Sequence, residues 1–232
     1  MRDSILGRIP DDWDITTSAK PEEIKQLFKH TVDTGIQHGT VTVLIKKECY
    51  EVTTYRIDGE YEDSRHPKEV NFTSLLSEDL RRRDFTINAM AFSLQKEDFG
   101  ALVDPFGGIR DLAAGIIRTP LDPDTTYSDD PLRMVRAVRF ATKLSTDELT
   151  FTIVQESLDS IRRNLHRMEI LSKERIVEEL NKILVTSRPS LGFRLLDETG
   201  LLDWILPQLV KLKGVETIEG KGHKENFSHT LE

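Results

Sequence analysis

Cysteine is almost absent from this 232-residue sequence, which contains only Cys49. One cysteine forms neither an internal disulfide nor a cysteine metal cluster, so we expect the reducing cytoplasm. Long hydrophobic runs are also absent: none approaches the ~20 residues that a membrane span needs, and the first residues do not resemble a signal peptide. Basic charge is in deficit as well, because 32 Lys and Arg stand against 40 Asp and Glu. The net charge of −8 argues against a generic nucleic-acid-binding protein but leaves room for local basic patches.

The composition that remains is that of a folded protein, with 38% hydrophobic and 31% charged residues. Near residue 120 the pattern changes from mixed α/β to helical, which predicts an α+β fold. Helices are predicted at about 129–143, 147–165, 172–186 and 188–198, with a short piece at 201–206. Everything after the boundary is therefore expected to be all-α.

An acidic pair lies at the start of a predicted strand. Asp12 and Asp14 are two residues apart, so their carboxylates leave a strand on the same face. Oxygen donors of this kind suit Mg²⁺, although a solvated turn is an alternative. Residues 40–45 and 50–56 predict an antiparallel hairpin. If that hairpin lies beside the acidic strand, Glu51 completes a three-carboxylate site; otherwise Glu51 faces solvent.

A second cluster combines arginines with hydrogen-bond acceptors. Three consecutive arginines, 81–83, cannot share one helix face, and Asp84 and Asn88 follow them. Arginines supply donors for triphosphate oxygens, and the acid and amide supply acceptors for ribose hydroxyls. A solvated surface is the alternative. The long polar loop at 58–71 is expected to be functional, and residues 104–108 read as a turn stiffened by proline and opened by two glycines.

The segment beginning at residue 129 predicts a helix that could read a nucleotide base. Asp130 is a suitable N-cap and Pro131 a suitable first residue. Arg133, Arg136 and Arg139 recur every three residues along one face. A carboxylate accepts hydrogen bonds and a guanidinium donates them, so Asp130 with Arg133 matches the pairing edges of cytosine and adenine. Uracil and guanine present the reverse pattern and are disfavoured.

These motifs together resemble the class II tRNA nucleotidyltransferase/poly(A) polymerase family, with bacterial CCA-adding enzymes the most similar branch. The matching segments are Arg2-Asp3…Gly7…Asp12-x-Asp14, Glu51-Val-Thr-Thr-x-Arg56, Arg82-Arg83-Asp84-Phe-Thr-Ile-Asn88, Asp104-Pro-Phe-Gly-Gly108, Asp129-Asp130-Pro-Leu-Arg133 and Ser172-Lys-Glu174-Arg175-Ile-Val-Glu178-Glu179. The resemblance implies a polymerase-β-like nucleotidyltransferase head with a small mixed sheet at 1–120. A helical neck and body would follow at 121–210. A linker and the start of an HD-type domain would occupy 211–232.

The resemblance also implies roles for individual residues. Asp12 and Asp14 would hold Mg²⁺, and Glu51 remains the candidate third catalytic acid if the hairpin lies beside their strand. The triphosphate and ribose would be bound by Arg2, Arg82, Arg83, Asp84 and Asn88. Asp130 and Arg133 would form the protein template for CTP and ATP, with Arg136 and Arg139 nearby. Arg175 and Glu178 would brace that pocket, and Arg65 would belong to the flexible loop needed for the final A addition.

The expected function is template-independent addition of C and A to the 3′ end of tRNA. A poly(A) polymerase or a member adding only CC or only A is the alternative within the family. Outside it stand an RNA-binding or dimerising fragment and a metal phosphohydrolase built on His223 and His229. The fragment would use a basic patch of Arg162, Arg163, His166 and Arg167, or those residues form a solvated helix face.

The sequence departs from the family pattern at three places. The Gly-Gly that precedes the first arginine in the family is missing, Asp129 replaces the usual Glu, and the HD-type segment stops soon after it begins. We therefore expect the chain to be a fragment of a longer protein.

Overall fold

The computed structural model describes residues 1–10, 13–58, 70–213, 217–218, 221–222 and 226–231. Asp12, Arg65 and His223, to which the sequence gives functional roles, lie outside these residues. The chain divides into two compact units. The first unit comprises Met1–Leu112 and Thr119–Leu121, and the second comprises Ala113–Arg118 and Asp122–Glu232. None of the helices in the described ranges has the length and hydrophobicity that crossing a membrane requires.

The strands are short and most lie in the first unit. They are β1 Asp14–Thr17, β2 Thr31–Gly35, β3 Thr40–Ile45, β4 Glu48–Thr54, β5 Arg56–Asp58, β6 Val70–Phe72, β7 Ala91–Phe92, β8 Leu102–Val103, β9 Ile116–Ile117, β10 Thr152–Ile153, β11 Thr217–Ile218 and β12 Lys221–Gly222.

The α-helices dominate the second unit. They are α1 Arg2–Ile5, α2 Pro21–Leu27, α3 Leu76–Arg81, α4 Gly108–Ala114, α5 Pro123–Asp129, α6 Leu132–Leu144, α7 Gln155–Asn164, α8 Lys173–Leu184, α9 Pro189–Glu198, α10 Leu201–Ile205, α11 Pro207–Val210 and α12 Asn226–Thr230. Short 3₁₀ helices occupy Ile36–His38, Thr86–Asn88 and Leu165–Ile170.

The main sheet of the first unit has four strands in the order β1-β4-β3-β2. β1 runs parallel to β4, whereas the other neighbours are antiparallel, so the sheet is small and mixed, as predicted. The predicted hairpin is confirmed by the antiparallel β3–β4 pair. Its turn is only Lys46-Lys47, both with positive φ (48° and 76°), because Glu48 already pairs with Ile45. Such a two-residue turn matches the right-handed twist of the strands it joins.

Alternation along the strands gives the sheet one apolar and one polar face. Val41, Val43 and Val52 are buried and pack with Ile24 of α2, with Ile15 partly buried against them. Helix α2 therefore covers this face and forms the local core. Side chains of the intervening residues leave the opposite face of the sheet.

The second unit is built around α6. Ten of its 13 residues are buried, which is what a central helix requires. Helix α9 approaches both α6 and α8 at Gly192. An added Cβ there would lie 2.9 Å from Thr142 Oγ1 of α6 and 2.4 Å from Ile183 Cγ2 of α8. Only glycine permits that approach, so Gly192 sets how closely the helices pack.

The prediction that the chain is all-α after residue 120 is wrong in two places, at β10 and at the antiparallel β11–β12 pair. β10, Thr152–Ile153, pairs parallel with β9, and α7 begins at Gln155 rather than at residue 147. Thr146 Oγ1 accepts hydrogen bonds from the Glu148 and Leu149 amides, and Ser145 Oγ accepts one from the Phe151 amide. These side chains occupy backbone donors that a helix would need, and so replace it with a turn and strand.

Candidate active site

Asp14 and Glu51 lie side by side on the polar face of the main sheet. They are register partners in the parallel β1–β4 pair, so both side chains leave the same face. Both residues are exposed. Thr42 of β3 is the partner of Glu51 on its other side and extends the row across the sheet. The structure thus places the predicted hairpin beside the acidic strand, the condition on which the role of Glu51 depended.

The chemistry of this pair fits a hard divalent cation. Carboxylate oxygens on one open face are the protein ligands that Mg²⁺ prefers. Across the described ranges, no group of three or more His, Cys, Asp and Glu side chains could hold a metal ion. Asp12, the remaining predicted ligand, is outside those ranges, so the described contribution to the site is Asp14 and Glu51.

A ladder of threonine hydroxyls continues the polar face beyond the carboxylates. Thr16 Oγ1 donates to the Thr53 carbonyl oxygen (3.2 Å), and Thr53 Oγ1 lies 2.9 Å from Thr40 Oγ1. Thr34 and Thr42 hydroxyls are 2.8 Å apart. The strands therefore carry a hydrophilic floor beside the acids instead of a second hydrophobic layer.

Two of the three consecutive arginines bind one buried acid that the sequence reasoning missed. Arg82 Nε and Nη2 donate to Asp79 Oδ1 (3.1 and 2.8 Å), and Arg83 Nη2 donates to Oδ2 (3.3 Å). Asp79 is fully buried, whereas Arg81 is exposed. The available signal was spacing, since residues three and four apart meet on a helix. Asp79 also lies in the first turn of α3 beside Glu78, a position where an acid is commonly solvated.

Three predicted nucleotide-binding residues form a connected chain. Arg2 Nη1 donates to Asn88 Oδ1 (2.6 Å), and Asn88 Nδ2 donates to Asp84 Oδ1 (2.9 Å). Arg2 also forms an ion pair with Asp3 at 2.8 Å. The fold thus brings Arg2 to the Asp84–Asn88 motif from 86 residues away.

The glycines at 107 and 108 explain why that motif keeps its shape. Asp104 accepts hydrogen bonds from the amides of Gly108 (2.7 Å) and Ile109 (3.0 Å) and so caps α4. Gly107 has a φ of 75°. At Gly108 an added Cβ would lie 2.2 Å from the Thr86 carbonyl oxygen. Helix α4 therefore begins directly against the Thr86–Asn88 turn.

In the second unit Asp130 is held by Arg175, 45 residues away. Arg175 Nη2 lies 3.0 Å from Asp130 Oδ2 and 3.2 Å from Oδ1. The Leu132 amide also donates to Oδ1 (3.1 Å), which is the predicted capping bond, although α6 is assigned from Leu132 rather than from Pro131. Arg133 Nη1 lies 3.5 Å from the Thr126 carbonyl oxygen. The structure thus fixes Asp130 at the junction of α5 and α6.

Glu179 gathers the other arginines of α6. It is buried and forms an ion pair with Arg139, with Arg136 Nη1 3.9 Å and Lys182 Nζ 3.0 Å from Oε1. Glu178, to which the sequence assigned a bracing role, is exposed, with no side-chain hydrogen bond or ion pair to another described residue. The buried positions Leu180 and Ile183 place residue 179, not 178, on the inward face of α8. That periodicity was the missed signal.

The basic positions considered for an RNA-facing patch are bound within the second unit. Arg163 Nη2 lies 2.8 Å from Asp124 Oδ2, and Arg162 Nη1 lies 3.0 Å from Asp159. The hydrogen bond from Arg163, and to a smaller extent the one from Ser160, holds the pKa of the Asp124 carboxyl below its usual range. The same Arg163–Asp124 bond raises the pKa of Arg163. These contacts favour a role in joining α5 to α7.

Comparison with known proteins bears on both units. The model of the family described as "Poly A polymerase head domain" matches residues 1–118, and that described as "Probable RNA and SrmB- binding site of polymerase A" matches 150–212. The chain belongs to the poly(A) polymerase head-domain family. Enzymes of this family generally use a divalent metal.

Individual family members agree with the resemblance seen in the sequence. The CCA-adding enzyme of Lactobacillus helveticus is 45% identical over 201 residues, covering 87% of this chain and 48% of the relative. The Bacillus stearothermophilus CCA-adding enzyme in complex with CTP has a TM-score of 0.76 at 39% identity, covering 86% of this chain and 46% of that one. The Thermotoga maritima enzyme complexed with tRNA-CCA has a TM-score of 0.70 at 28% identity, covering 89% and 46%. The chain thus spans about half the length of the relatives it matches.

Proposed function

We propose that this protein is a template-independent nucleotidyltransferase that adds C and A to the 3′ end of tRNA from CTP and ATP with Mg²⁺. The observation that carries the proposal is the pairing of Asp14 with Glu51 on an open, hydroxyl-lined sheet face. Two carboxylates on neighbouring strands can hold a metal ion, and CCA-adding enzymes of this family generally use a divalent metal. The cytoplasm is the proposed compartment, given the single cysteine.

Each unit has its own part in the proposed reaction. Residues 1–120 form the catalytic head, 121–210 the helical part that binds nucleotide and RNA, and 211–232 a linker and the start of a further domain. The relatives in complex with CTP and with tRNA-CCA support nucleotide and tRNA as partners. Arg65, outside the described residues, is proposed to serve the loop for the final A.

In the head, acidic and basic residues divide the work. Asp12, Asp14 and Glu51 hold Mg²⁺, which when bound activates the primer 3′-hydroxyl and neutralises the leaving pyrophosphate. Arg82 and Arg83 donate to the triphosphate oxygens, with Arg2 nearby through its bond to Asn88. Asp84 and Asn88 accept from the ribose hydroxyls. Positioning and electrostatics thus supply most of the catalysis, as is usual for this type of transfer.

In the second unit, Asp130 and Arg133 are proposed to select the base, with Arg136 and Arg139 beside them. Asp130 Oδ2 accepts only from Arg175 among the described residues. A carboxylate oxygen accepts about two hydrogen bonds, so Oδ2 retains capacity for the amino group of cytosine or adenine. Arg175 fixes the direction of that acceptor, and Arg133 supplies the donor for the ring nitrogen.

Labelled CTP tests the proposal directly. The chain is incubated with Mg²⁺ and tRNA ending at the discriminator base, beside a version extended at its N-terminus by the Gly-Gly of the family pattern. We expect label to enter this tRNA but not one that already ends in CCA. Label in neither tRNA with either protein, while tRNA still binds, would overturn the proposal in favour of an RNA-binding module.

A further inference from the structure

The geometry points to Asp79 as a positioning residue that orders Arg82 and Arg83 for the nucleotide triphosphate, an inference that rests on the proposed function. Asp79 has no exposed surface, and its two oxygens are divided between the two arginines. Arg82 takes Oδ1 through both Nε and Nη2, while Arg83 takes Oδ2. One carboxylate thereby fixes the direction of two guanidinium groups.

The placement of Asp79 follows from the end of α3. Arg82 is the C-cap of this helix, so Asp79 reaches residues three and four positions later as the chain leaves it. The backbone amide of Arg56, the first residue of β5, approaches Asp79 Oδ1 at 3.4 Å and ties the acid to a second element. Arg81 points to solvent from the same helix. Asp79 thus orders Arg82 and Arg83, whereas Arg81 remains exposed to solvent.

Ordering matters here because the arginines are still reachable. Their side chains are 21% and 31% exposed, so part of each side chain remains accessible to a ligand while Asp79 holds it in place. Arg83 Nε is buried and has no hydrogen-bond partner among the described residues, so the contact of Arg83 with Asp79 is made through Nη2. A polyanion that meets prearranged donors loses less conformational entropy on binding than one that must order them.

Charge alone predicts the opposite effect of Asp79, which makes the inference testable. A carboxylate between two arginines lowers the local positive potential, so its removal would strengthen triphosphate binding if charge were decisive. If positioning is decisive, removal weakens binding because the two neighbouring guanidiniums repel and spread apart. The sign of the change in nucleotide affinity therefore separates the two explanations.

The experiment compares Asp79→Asn with the unaltered protein in CTP and ATP incorporation. We expect the KM for both nucleotides to rise by about 10- to 100-fold, while the KM for tRNA stays unchanged. An unchanged or lower nucleotide KM would overturn the inference. If kcat falls because less of the variant is folded and active, while the nucleotide KM is constant, Asp79 has a structural role only. That result would also overturn the inference.

Two matched variants control for charge and for helix identity. Glu78→Gln removes an acid from the same helix, and Arg81→Ala removes the exposed arginine. Both are expected to leave nucleotide KM within about twofold of the unaltered protein. If the nucleotide KM of either control variant rises as much as that of Asp79→Asn, any substitution in α3 has the same effect. That result would contradict a specific role for Asp79.

A triple variant tests whether Asp79 acts through the arginines. In a background lacking both, Arg82→Ala with Arg83→Ala, adding Asp79→Asn should raise nucleotide KM no further, because coupled residues are not additive. An equal further rise would overturn the inference. If Asp79→Asn does not fold by circular dichroism, Asp79→Glu decides: a KM between those of the unaltered and arginine-deficient proteins supports it, and an unaltered KM overturns it.

The outcomes also distinguish this inference from the proposed function. If neither the unaltered protein nor its N-terminally extended version incorporates nucleotide, the proposed function fails. If one of them incorporates CTP and ATP normally and its Asp79→Asn variant does so with the same KM, only the role of Asp79 fails.

Discussion

Asp14 faces Glu51 across the parallel β1–β4 pair, although the two acids are 37 residues apart in the chain. Their adjacency turns two exposed carboxylates into one anionic platform on a sheet whose other face is covered by α2. Such a platform has a cost, since like charges on neighbouring strands repel. A bound divalent cation offsets that repulsion.

Glu51→Gln should therefore disable the reaction while sparing the fold. The amide keeps the shape but loses a charge, and we expect CTP incorporation to fall by about a hundredfold or more. Stability should stay the same or rise, because Asp14 loses a like-charged neighbour. Glu48→Gln, at the exposed start of the same strand, is the control. Incorporation within a few-fold of the unaltered protein, with Mn²⁺ binding unchanged, would remove Glu51 from the site.

Asp130→Asn should change which base is chosen more than how fast the reaction runs. The amide adds a donor where uracil and guanine present a carbonyl, so preference for CTP over UTP is expected to fall about 10- to 100-fold. Arg175→Gln removes the brace but keeps the acceptor, so the preference for CTP over UTP should fall by less than in Asp130→Asn. Competition between labelled nucleotides measures both. Equal changes in preference would show that Asp130 acts only through its pair with Arg175.

Gly108→Ala should be more harmful than Gly107→Ala. At Gly107 the φ of 75° costs alanine about 1–2 kcal/mol, but no atom lies within 4 Å of the added Cβ. At Gly108 the Cβ meets the Thr86 carbonyl, and overpacking costs about 1–3 kcal/mol. Only Gly108→Ala should also raise the KM for nucleotides, because Thr86 leads into Asn88. Chemical denaturation with nucleotide kinetics checks this, and equal KM values for the two variants would contradict it.

Glu179→Gln should destabilise the second unit far more than Glu178→Gln. Removing the buried acid leaves Arg139 without its ion pair, at a cost of about 3–5 kcal/mol. Glu178 is exposed, so its substitution should stay within about 0.5 kcal/mol. Urea unfolding measures both variants. Equal losses would show that Glu178, as the sequence suggested, also braces the helices.

Acid should selectively loosen the junction of α5 and α7. Because the pKa of Asp124 is lowered from its usual 3.8, the unfolded chain binds the proton more readily. The contribution of Asp124 to stability is complete above that value and is lost as the pH falls through the lower, folded pKa. The stability difference between the unaltered protein and Asp124→Asn should therefore shrink below pH ~3.8. A difference that is constant with pH would contradict this, and Asp203→Asn, an exposed acid on α10, controls for net charge.

Local patterns predicted the elements of this fold better than their contacts. The β-branched runs at 40–45 and 50–56 predicted the hairpin, and spacing put Arg136 and Arg139 together on one helix. β1 pairs in parallel with β4 although the two strands are far apart in the sequence. The sequence analysis could therefore state this pairing only as a condition for the role of Glu51. Parallel neighbours need long connections, and no turn motif marks which strands meet.

Burial of charged residues was the least predictable feature. Asp79 and Glu179 look like ordinary acids of solvated helices, yet each lies buried beneath arginines. Their environment depends on which other elements approach, such as the Arg56 amide beside Asp79. The strand at Thr152–Ile153 was missed for the same reason, since its partner β9 lies on the far side of two helices in the sequence.

The central claim is tested most directly by sequencing the 3′ ends made from tRNA lacking CCA. One reaction holds the protein, Mg²⁺ and all four nucleoside triphosphates, and each product end is read after many turnovers. The proposed platform and protein template predict C, C and A in that order, followed by a stop. Long runs of A would assign the chain to polyadenylation, and addition of U or G as readily as C would contradict base selection by Asp130 and Arg133.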